Sequence, residues 1–321
     1  GTPRAELHKV RSARWAWVLN GMGAAEIVLD ASDPKATAQL MTQAPLVVIY
    51  SDAGNWGGVL KRRISQNGSQ LTLSAWSNER LLHRRITDKT RNLDGKTNGV
   101  IAQTLLQEAN AVWPTGVEAG RVYTGGLAHY YEMHHDDLLE RFQDMAANDG
   151  HDFEVLWDRQ LNWYERKGSD KPNVVLAESR NIVAHPTYIY IEDDIVNYQV
   201  CVGSGTTWAE RLTATEEDSA SQNAYGLQQR VDDFGSIEEQ ATLDLRVATL
   251  LANRKDPKEA LDLTIMDRPR GLWASFREGD RVRVILPNYK LDQGFDDTVR
   301  VLGREVDAAQ STMRVVVEVG G

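Results

Sequence analysis

The sequence has a single cysteine, Cys201, in 321 residues. One cysteine can form neither an intrachain disulfide nor a metal site built from thiolates, and so few thiols fit folding in a reducing compartment. Cys201 lies in the alternating run YQVCV. We therefore interpret it as a strand residue and not as a reactive thiol.

Long apolar runs are also lacking. None approaches the roughly 20 residues of a membrane-spanning helix, and the opening residues GTPRAELHKV contain no apolar segment of the kind found in signal peptides. The composition, 41% hydrophobic and 26% charged, is ordinary for a globular protein. The length allows about two to four compact units.

Motifs for nucleotide binding and hydrolysis are missing as well. The glycine-rich stretch GSGTT at 203–207 lacks the lysine of a phosphate loop. There is no Gly-x-Ser-x-Gly elbow and no dinucleotide fingerprint. Paired carboxylates such as Asp193 and Asp194 have no context that separates an acid from a base. We predict a protein that is not an enzyme, with no catalytic residues and no cofactor.

One stretch, HYYEMHHDD at 129–137, could be considered for zinc because it contains three histidines and two aspartates. Its spacing is not His-Glu-x-x-His, and the adjacent His134 and His135 would point in different directions on a helix or a strand. A helix N-terminus with capping carboxylates explains Asp136 and Asp137 better. We predict no metal site.

Charge is distributed unevenly along the chain. The net charge is −10, with +6 in residues 1–93 and −16 in the remainder. A basic first unit joined to an acidic body predicts surfaces that meet complementary partners. The acidic whole argues against general affinity for nucleic acid.

Residues 46–85 have the pattern of three antiparallel strands followed by a short basic helix. An apolar run at 46–50 precedes a strand at 56–65 that opens on Trp56-Gly57-Gly58. Asn67-Gly68 is a strong hairpin signal, since a type I′ turn needs positive φ at both central residues. The segment 282–319 repeats the order of three strands, which suggests two related β modules.

Two candidate strands at 14–30 are rich in tryptophan, with Trp15 and Trp17 on one face. Such rings suit a protein core and also suit a strand pair offered to another subunit. Farther along, the apolar spacing predicts helices at 97–112 and 136–148. A capping box at 236–239 predicts a third helix, ending near residue 252.

Four stretches, in this order, resemble the tail hub family of long-tailed phages, which is related to the spike-bearing hubs of contractile injection systems. The first contains the two candidate strands near the start of the chain. The second is a strand pair that ends in a Leu-Leu-x-Arg-Arg turn. The third closes an α/β unit, and the fourth is a late helix followed by a strand. They read ARWAWVLN…AEIVLDASDPKA, WGGVLKRRISQNGSQLTLSAWSNERLLHRR, DFEVLWDRQLNWYERKG and AYGLQQRVDDFGSIEEQATLDLRVATLLANRKDP.

The resemblance implies a mainly β (α+β) fold with two tube-type antiparallel β-barrel domains. The first barrel would be 1–93, and an α/β domain would follow at 94–175. The second barrel would combine 176–196 with 266–321. A helix-containing outer domain would occupy 197–265. Family members commonly continue into fibres or enzymes, so a sequence that stops at Gly321 would be a hub alone or part of a longer chain.

The resemblance also implies a function. A homotrimer would form a ring at the distal end of a phage tail and adapt six-fold tube rings to a three-fold tip. Its partners would be the tail tube or distal tail ring protein above, and a fibre, spike or receptor-binding protein below. Phage DNA would pass through the channel without specific binding. The protein would belong to the virion tail tip and be assembled in the host cytoplasm, with no membrane-spanning segment.

A channel that DNA must leave easily is expected to be neutral or acidic. Arg62, Arg63, Arg84 and Arg85 of the first unit should therefore point outward or between subunits. The candidate subunit-interface residues are Trp15, Trp17, Trp56, Arg62, Arg63, Arg84 and Arg85.

Three alternatives remain open from the sequence. One is a spike-bearing hub of a contractile particle or gene-transfer device. Another is a tail-tip wall hydrolase built on Glu154 and Asp158. The third is a carbohydrate-binding module that uses exposed tryptophan.

Overall fold

A computed structural model describes residues 6–37, 46–61, 65–87, 91–235, 237–287 and 294–319. These residues form twenty strands, four α-helices and one short 3-10 helix, so the mainly β fold class is confirmed. The bounds of the helices are α1 Asn98–Val112, α2 Leu138–Asp149, α3 Ser219–Tyr225 and α4 Gln240–Arg254, with the 3-10 helix at Asn78–Leu81.

The strands are numbered in chain order. Their bounds are β1 Val10–Val18, β2 Ala24–Asp30, β3 Leu46–Ile49, β4 Trp56–Leu60, β5 Ser65–Asn67, β6 Gln70–Ser77, β7 Arg91–Lys96, β8 Glu118–Val122, β9 His129–Met133, β10 Asp152–Val155, β11 Gln160–Tyr164, β12 Asp170–Ala177, β13 Thr187–Ile191, β14 Tyr198–Val202, β15 Thr213–Glu217, β16 Gln229–Asp233, β17 Lys258–Ile265, β18 Arg281–Leu286, β19 Phe295–Asp307 and β20 Thr312–Val319.

One large sheet joins the two ends of the chain. Its strands follow the order β13-β17-β20-β19-β1-β2-β6-β4-β3, with β12 and β18 attached beside β19 and β5 beside β6. The long strand β19 pairs with β18 along its first half and with β1 along its second half. A register shift between Val301 and Gly303 marks the change. The strands assigned to the two barrels therefore form a continuous hydrogen-bonded sheet, and their closure into two separate barrels stays a prediction.

The sheet has its core on one face because apolar residues alternate along its strands. In β17, β18 and β20 every second side chain is buried, as at Leu263, Val284 and Val315. Trp15 and Trp56, from β1 and β4, belong to the same hydrophobic cluster. The two halves of the sheet thus share one core.

Two smaller units pack beside this sheet. The α/β unit contains α1, α2, the pair β7–β9 and the sheet β10-β11-β8, with its own core around Phe142, Phe153 and Trp163. The outer unit contains the sheet β15-β14-β16 covered by α4, with a core around Cys201 and Leu243. Both units were anticipated between the two β regions of the chain.

Several local predictions need correction. The helix predicted from the capping box is α4. It begins at Gln240 and not directly after Ser236, which lies outside the described residues. The expected domain boundary near residue 93 falls inside strand β7, which pairs with β9. Strand β17, placed by the predicted bounds entirely in the outer domain, pairs with β13 and β20 in the large sheet.

The hairpin at Asn67-Gly68 exists, but it turns one residue later than predicted. Asn67 pairs with Gln70, so Gly68 and Ser69 are the central residues. Only Gly68 has positive φ, at 58°. A glycine at the first central position is the pattern of a type II′ turn and not of type I′.

Asp137 caps helix α2 as the sequence suggested. Its Oδ1 accepts hydrogen bonds from the backbone N–H groups of Leu139 at 3.0 Å and Glu140 at 3.1 Å. Changing Asp137→Ala is expected to lower the free energy of unfolding by about 1 kcal/mol because both donors lose their partner. Asp137→Asn keeps an acceptor oxygen and should lose much less in the same urea titration. Equal losses in the two variants would contradict the capping role.

Candidate functional site

The three candidate tryptophans lie on strands β1 and β4 of the large sheet, and Trp15 and Trp56 belong to its core. Trp15 is 5% exposed and Trp56 is 1% exposed, while Trp17 is half-buried beside Trp15 at a ring distance of 6.4 Å. Trp56 Nε1 donates to the carbonyl oxygen of Ala16 at 2.9 Å. This burial favours the core alternative for Trp15 and Trp56 within one chain. A contact of these rings with another subunit stays a prediction.

The four candidate arginines divide into two pairs. Arg84 is exposed and Arg85 is half-buried, just after the 3-10 helix that follows β6. Arg62 and Arg63 lie outside the described residues. The interface role of Arg84 and Arg85 stays a prediction.

A buried charged junction connects the large sheet to the α/β unit. Arg304 of β19 donates from Nε to Glu278 Oε1 at 2.6 Å, and the two side chains are 2% and 5% exposed. Lys167 Nζ lies 2.6 Å from Glu154 Oε2 and 3.8 Å from Glu278 Oε2. Burial alone would raise the pKa of Glu278, but Arg304 and Lys167 hold that pKa below its ordinary value.

The same junction encloses a cavity of about 300 Å³. Its lining includes Trp17, Trp56, Glu79, Phe153 and Arg304, which come from both sides of the junction. Burial raises the pKa of Glu79, whose Oε1 accepts from the N–H of Val155 at 2.9 Å. Glu79 thus connects the 3-10 helix after β6 to β10 of the α/β unit.

Close packing explains why a glycine follows Trp56 in the predicted Trp-Gly-Gly strand. A Cβ on Gly57 would lie 2.5 Å from the carbonyl oxygen of Trp157 and 2.9 Å from Asn78 Nδ2. Asn78 Nδ2 itself donates to Leu156 O at 2.8 Å. The backbone of β4 therefore touches the turn between β10 and β11, and only glycine allows this approach.

Changing Gly57→Ala is expected to lower the free energy of unfolding by about 2 kcal/mol, because the added methyl group must displace a backbone segment. Differential scanning calorimetry should show a lower Tm. Crystal or NMR analysis should find the displacement at the β10–β11 turn. An unchanged Tm would contradict the close packing of these two segments.

The first five residues of the histidine-rich stretch form strand β9, and its last residue, Asp137, caps helix α2. His129 is 4% exposed; its Nε2 lies 2.7 Å from Asp149 Oδ2, and Arg246 Nη2 donates to its Nδ1 at 2.7 Å. Sequence reasoning missed Arg246, although a charged residue within the apolar stripe of α4 was a signal. The contact ties the outer unit to the α/β unit.

One group of possible metal ligands occurs among the described residues: His83, Asp137 and Glu140, with ligand atoms within 4.8 Å of one another. His83 Nδ1 already contacts Asp137 Oδ2 at 2.9 Å, and the other carboxylate oxygen caps α2. The positive end of a helix disfavours a cation at this place. An ordinary hydrogen bond and a helix cap account for the group.

Burial lowers the pKa of His151, whose Nδ1 accepts from Trp163 Nε1 at 3.2 Å. The unfolded chain therefore binds a proton at this residue more readily than the folded chain does. We expect the free energy of unfolding to fall between pH 7.5 and 5.5 because of this residue. Urea titrations of His151→Gln, which keeps an acceptor for Trp163, should lack this component. An identical pH dependence in both proteins would refute it.

The residues of the hydrolase alternative have structural roles. Glu154 accepts from Tyr164 Oη at 2.7 Å through Oε1 and contacts Lys167 through Oε2. Asp158 lies in the exposed turn that follows β10.

Burial raises the pKa of the Cys201 thiol to about 11, which makes a reactive thiolate unfavourable. Among the described residues, no helix is both long enough and apolar enough to span a membrane.

The large sheet ends in two edge strands that expose apolar side chains. In β3, Leu46 is 39% exposed and Val48 is 38% exposed. In β13, Tyr190 is 41% exposed and Ile191 is 39% exposed. Within the described ranges, β3 pairs only with β4 and β13 only with β17. Edge strands of this kind are sites where another chain can add to a sheet.

Solved structures similar to this one extend over nearly the whole chain. The tail protein from Neisseria meningitidis MC58 matches with a TM-score of 0.69 at 15% identity, covering 97% of this chain and 93% of that one. The 43 kDa tail protein of prophage MuSo2 from Shewanella oneidensis matches with a TM-score of 0.68 at 12% identity, covering 96% and 93%. The chain has the fold of phage tail proteins.

A third structure is the E. coli c3393 protein, described as a component of the type VI secretion system with structural similarity to T4 bacteriophage tail proteins gp27 and gp5. It matches with a TM-score of 0.51 at 10% identity, covering 98% of this chain and 74% of that one. No protein-family model and no curated protein matches the sequence. The resemblance to the tail hub family is thus confirmed in the fold.

Proposed function

We propose that this protein is the structural hub at the distal end of a phage tail. Three copies form a ring that adapts six-fold tube rings to a three-fold tip and surrounds the channel through which DNA leaves. The observation that carries this proposal is the full-length likeness to tail proteins, which covers 96–97% of the chain. A likeness over the large sheet alone would not have included the α/β and outer units.

The organisation of the chain supports the same function. A single continuous sheet with an edge strand at each end can be extended on both sides by identical neighbours. Buried ion pairs join the α/β unit to that sheet: Lys167 Nζ lies 3.8 Å from Glu278 Oε2, and Arg300 of β19 contacts Asp152 of β10. A subunit of a channel wall needs this rigidity, since it must keep its shape while DNA passes.

Sedimentation velocity of the purified protein is the first test. A trimer should sediment at three times the chain mass of 35.9 kDa, and the particle carrying it should show a three-fold ring beneath six-fold rings in electron micrographs. A monomer at all concentrations up to about 100 µM, above the Kd of ordinary specific interfaces, would contradict the ring. A monomer that binds glycans would favour the carbohydrate-binding alternative.

A spike-bearing hub of a contractile particle is the second candidate. The likeness to the type VI secretion component, with a TM-score of 0.51, favours it. The two candidates differ in their neighbours, because a contractile particle contains a sheath. Isolation of the native particle and identification of its proteins by mass spectrometry separates them: a sheath protein supports the second candidate, and its absence supports the first.

A further inference from the structure

We propose that the cleft between the α/β unit and the outer unit binds an apolar residue of a partner polypeptide, which accepts a hydrogen bond from His151 through its backbone carbonyl oxygen and is flanked by basic residues. The cleft has a volume of about 430 Å³, and its walls come from the loop before β9 and from helix α4. This volume is typical of ligand sites in proteins. The inference goes beyond the proposed ring, because the cleft lies within one chain and exists in a monomer as well as in a trimer.

A buried hydrogen-bond donor borders the cleft. The side chain of His151 is only 5% exposed, and its Nδ1 accepts from Trp163 Nε1 at 3.2 Å. Because an indole N–H can only donate, the proton of the neutral imidazole ring is on Nε2. Among the described residues, Nε2 has no acceptor for this proton. Buried polar groups normally have a hydrogen-bond partner, so the unpartnered N–H points to an acceptor supplied by a ligand.

A glycine keeps this donor accessible from the cleft. Gly126 has a φ of 97°, a conformation that favours glycine. A Cβ on Gly126 would lie 3.3 Å from Cε1 and 3.5 Å from Nε2 of His151. Any larger residue would therefore cover the edge of the ring that carries the proton. Glycine leaves room for an acceptor oxygen there.

The charged groups that line the buried end of the cleft balance each other. Arg246 Nη1 lies 3.6 Å from Asp149 Oδ1 and donates to the carbonyl oxygen of Asn148 at 3.0 Å. Asp149 Oδ2 lies 2.7 Å from His129 Nε2. One cation therefore faces one carboxylate, and no excess positive charge is present to hold an anion. Moving a phosphate or a carboxylate into this place would cost free energy without a counter-ion, so an uncharged carbonyl oxygen is the acceptor that fits His151.

Both walls of the cleft carry exposed apolar side chains. Leu127, from the α/β unit, is 44% exposed, and Leu245, from α4, is 46% exposed. Ala128 and Ala241 add apolar surface on the same two walls. An apolar side chain that enters between the walls removes this surface from water. A peptide residue supplies both parts that the cleft requires, an apolar side chain for the walls and a carbonyl oxygen for His151.

The charge of the surroundings determines which peptide fits. Residues 94–175 contain 7 Lys and Arg against 14 Asp and Glu, a net charge of −7. Residues 197–265 contain 6 against 12, a net charge of −6. Glu239 lines the cleft itself and is exposed, as is the preceding Glu238. An acidic surface around an apolar cleft is complementary to an apolar residue with Lys or Arg on either side.

Titration of the whole protein with the blocked peptide acetyl-Lys-Leu-Lys-amide tests the site, with the imidazole Nε2–H signal of His151 as the NMR readout. A new acceptor should move this proton signal downfield in a saturable way, with a Kd on the order of 1 mM or lower. Acetyl-Lys-Gly-Lys-amide should bind at least about tenfold more weakly, because it lacks the apolar side chain. Acetyl-Glu-Leu-Glu-amide should also bind more weakly at 50 mM salt, with a smaller difference at 500 mM because salt screens exposed charges.

Two variants of α4 locate the binding. Ala241→Trp, at an exposed position in the cleft wall, places an indole in the cleft and should weaken binding of acetyl-Lys-Leu-Lys-amide at least about tenfold. Leu245→Gln, at a half-exposed side chain, removes apolar surface with little change of volume and should weaken binding in the same direction. The matched control Ala252→Trp adds the same indole at an exposed position of α4 outside the cleft, and it should bind like the wild type.

Two outcomes would overturn this inference. One is a His151 Nε2–H signal that does not move with acetyl-Lys-Leu-Lys-amide up to about 10 mM, well above the expected Kd. The other is equal binding by the wild type and by Ala241→Trp, which would place the peptide elsewhere on the protein. Either result leaves the proposed ring untouched, because sedimentation velocity tests the trimer without the peptide.

Discussion

Replacing Arg304 with methionine is expected to lower the free energy of unfolding by about 4 kcal/mol, because the change leaves a carboxylate buried without its charge partner. The side chain of Arg304 is 2% exposed and that of Glu278 is 5% exposed. The guanidinium also donates to the backbone oxygen of Trp273 at 3.1 Å and lies 4.8 Å from the centre of the Trp17 ring. Methionine keeps the apolar stem, so denaturant unfolding should report mainly the loss of charge and hydrogen bonds.

The effect of Arg304→Met should depend on pH in a defined direction. In the wild type the pKa of Glu278 is held below its ordinary value. The ionised group therefore stabilises the fold at pH values above the ordinary pKa, and this stabilisation decreases as the pH falls toward the lowered pKa. Without Arg304, burial is expected to raise the pKa of the same carboxyl group. The variant can then neutralise Glu278 in mild acid, and the difference between variant and wild type should shrink between pH 7 and pH 5.

Two further proteins make this prediction decisive. The double variant Arg304→Met with Glu278→Leu removes both charges and should recover at least half of the lost stability. The control Arg14→Met removes an arginine whose side chain is 59% exposed and lies 2.7 Å from Asp307, and it should change stability only slightly. A loss of that small size for Arg304→Met would show that the junction contributes no more than a surface pair.

The local elements of this fold could be predicted from the sequence because their signals are local. Helix α1 was expected at 97–112 and is found at Asn98–Val112, since apolar spacing and the flanking Pro114 mark both of its ends. The alternating strands at 282–319 were found in the same way. The likeness to tail proteins also followed from the order of such elements, although no single motif was specific.

The contacts that connect distant segments could not be predicted in this way. Strand β1 pairs with β19 almost three hundred residues later, and nothing in either strand specifies the other. The inward position of Arg304 was hidden by a bulge. Counting alternate residues from Val299 and Val301 would place Glu305 inside, but the register shift between Val301 and Gly303 moves Arg304 and Val306 inward instead.

The outer unit depends on one buried side chain for its position. Arg246 of α4 is 6% exposed and reaches into the α/β unit, where it donates to His129 Nδ1 at 2.7 Å and to the Asn148 carbonyl oxygen at 3.0 Å. Its Nη1 lies 3.6 Å from Asp149 Oδ1. Because Nδ1 of His129 accepts this bond, the proton of the neutral ring must be on Nε2, which faces Asp149.

Changing Arg246→Met is therefore expected to release the outer unit while the large sheet stays folded. The loss of the hydrogen bonds and of the charge beside Asp149 corresponds to about 3 kcal/mol, or roughly a hundredfold faster amide hydrogen exchange in α4 and β14–β16. Exchange in β17–β20 should be unchanged. The control Arg230→Met, at a side chain that is 55% exposed, should exchange like the wild type. Equal exchange of α4 in Arg246→Met and in the wild type would show that Arg246 does not hold the outer unit in place.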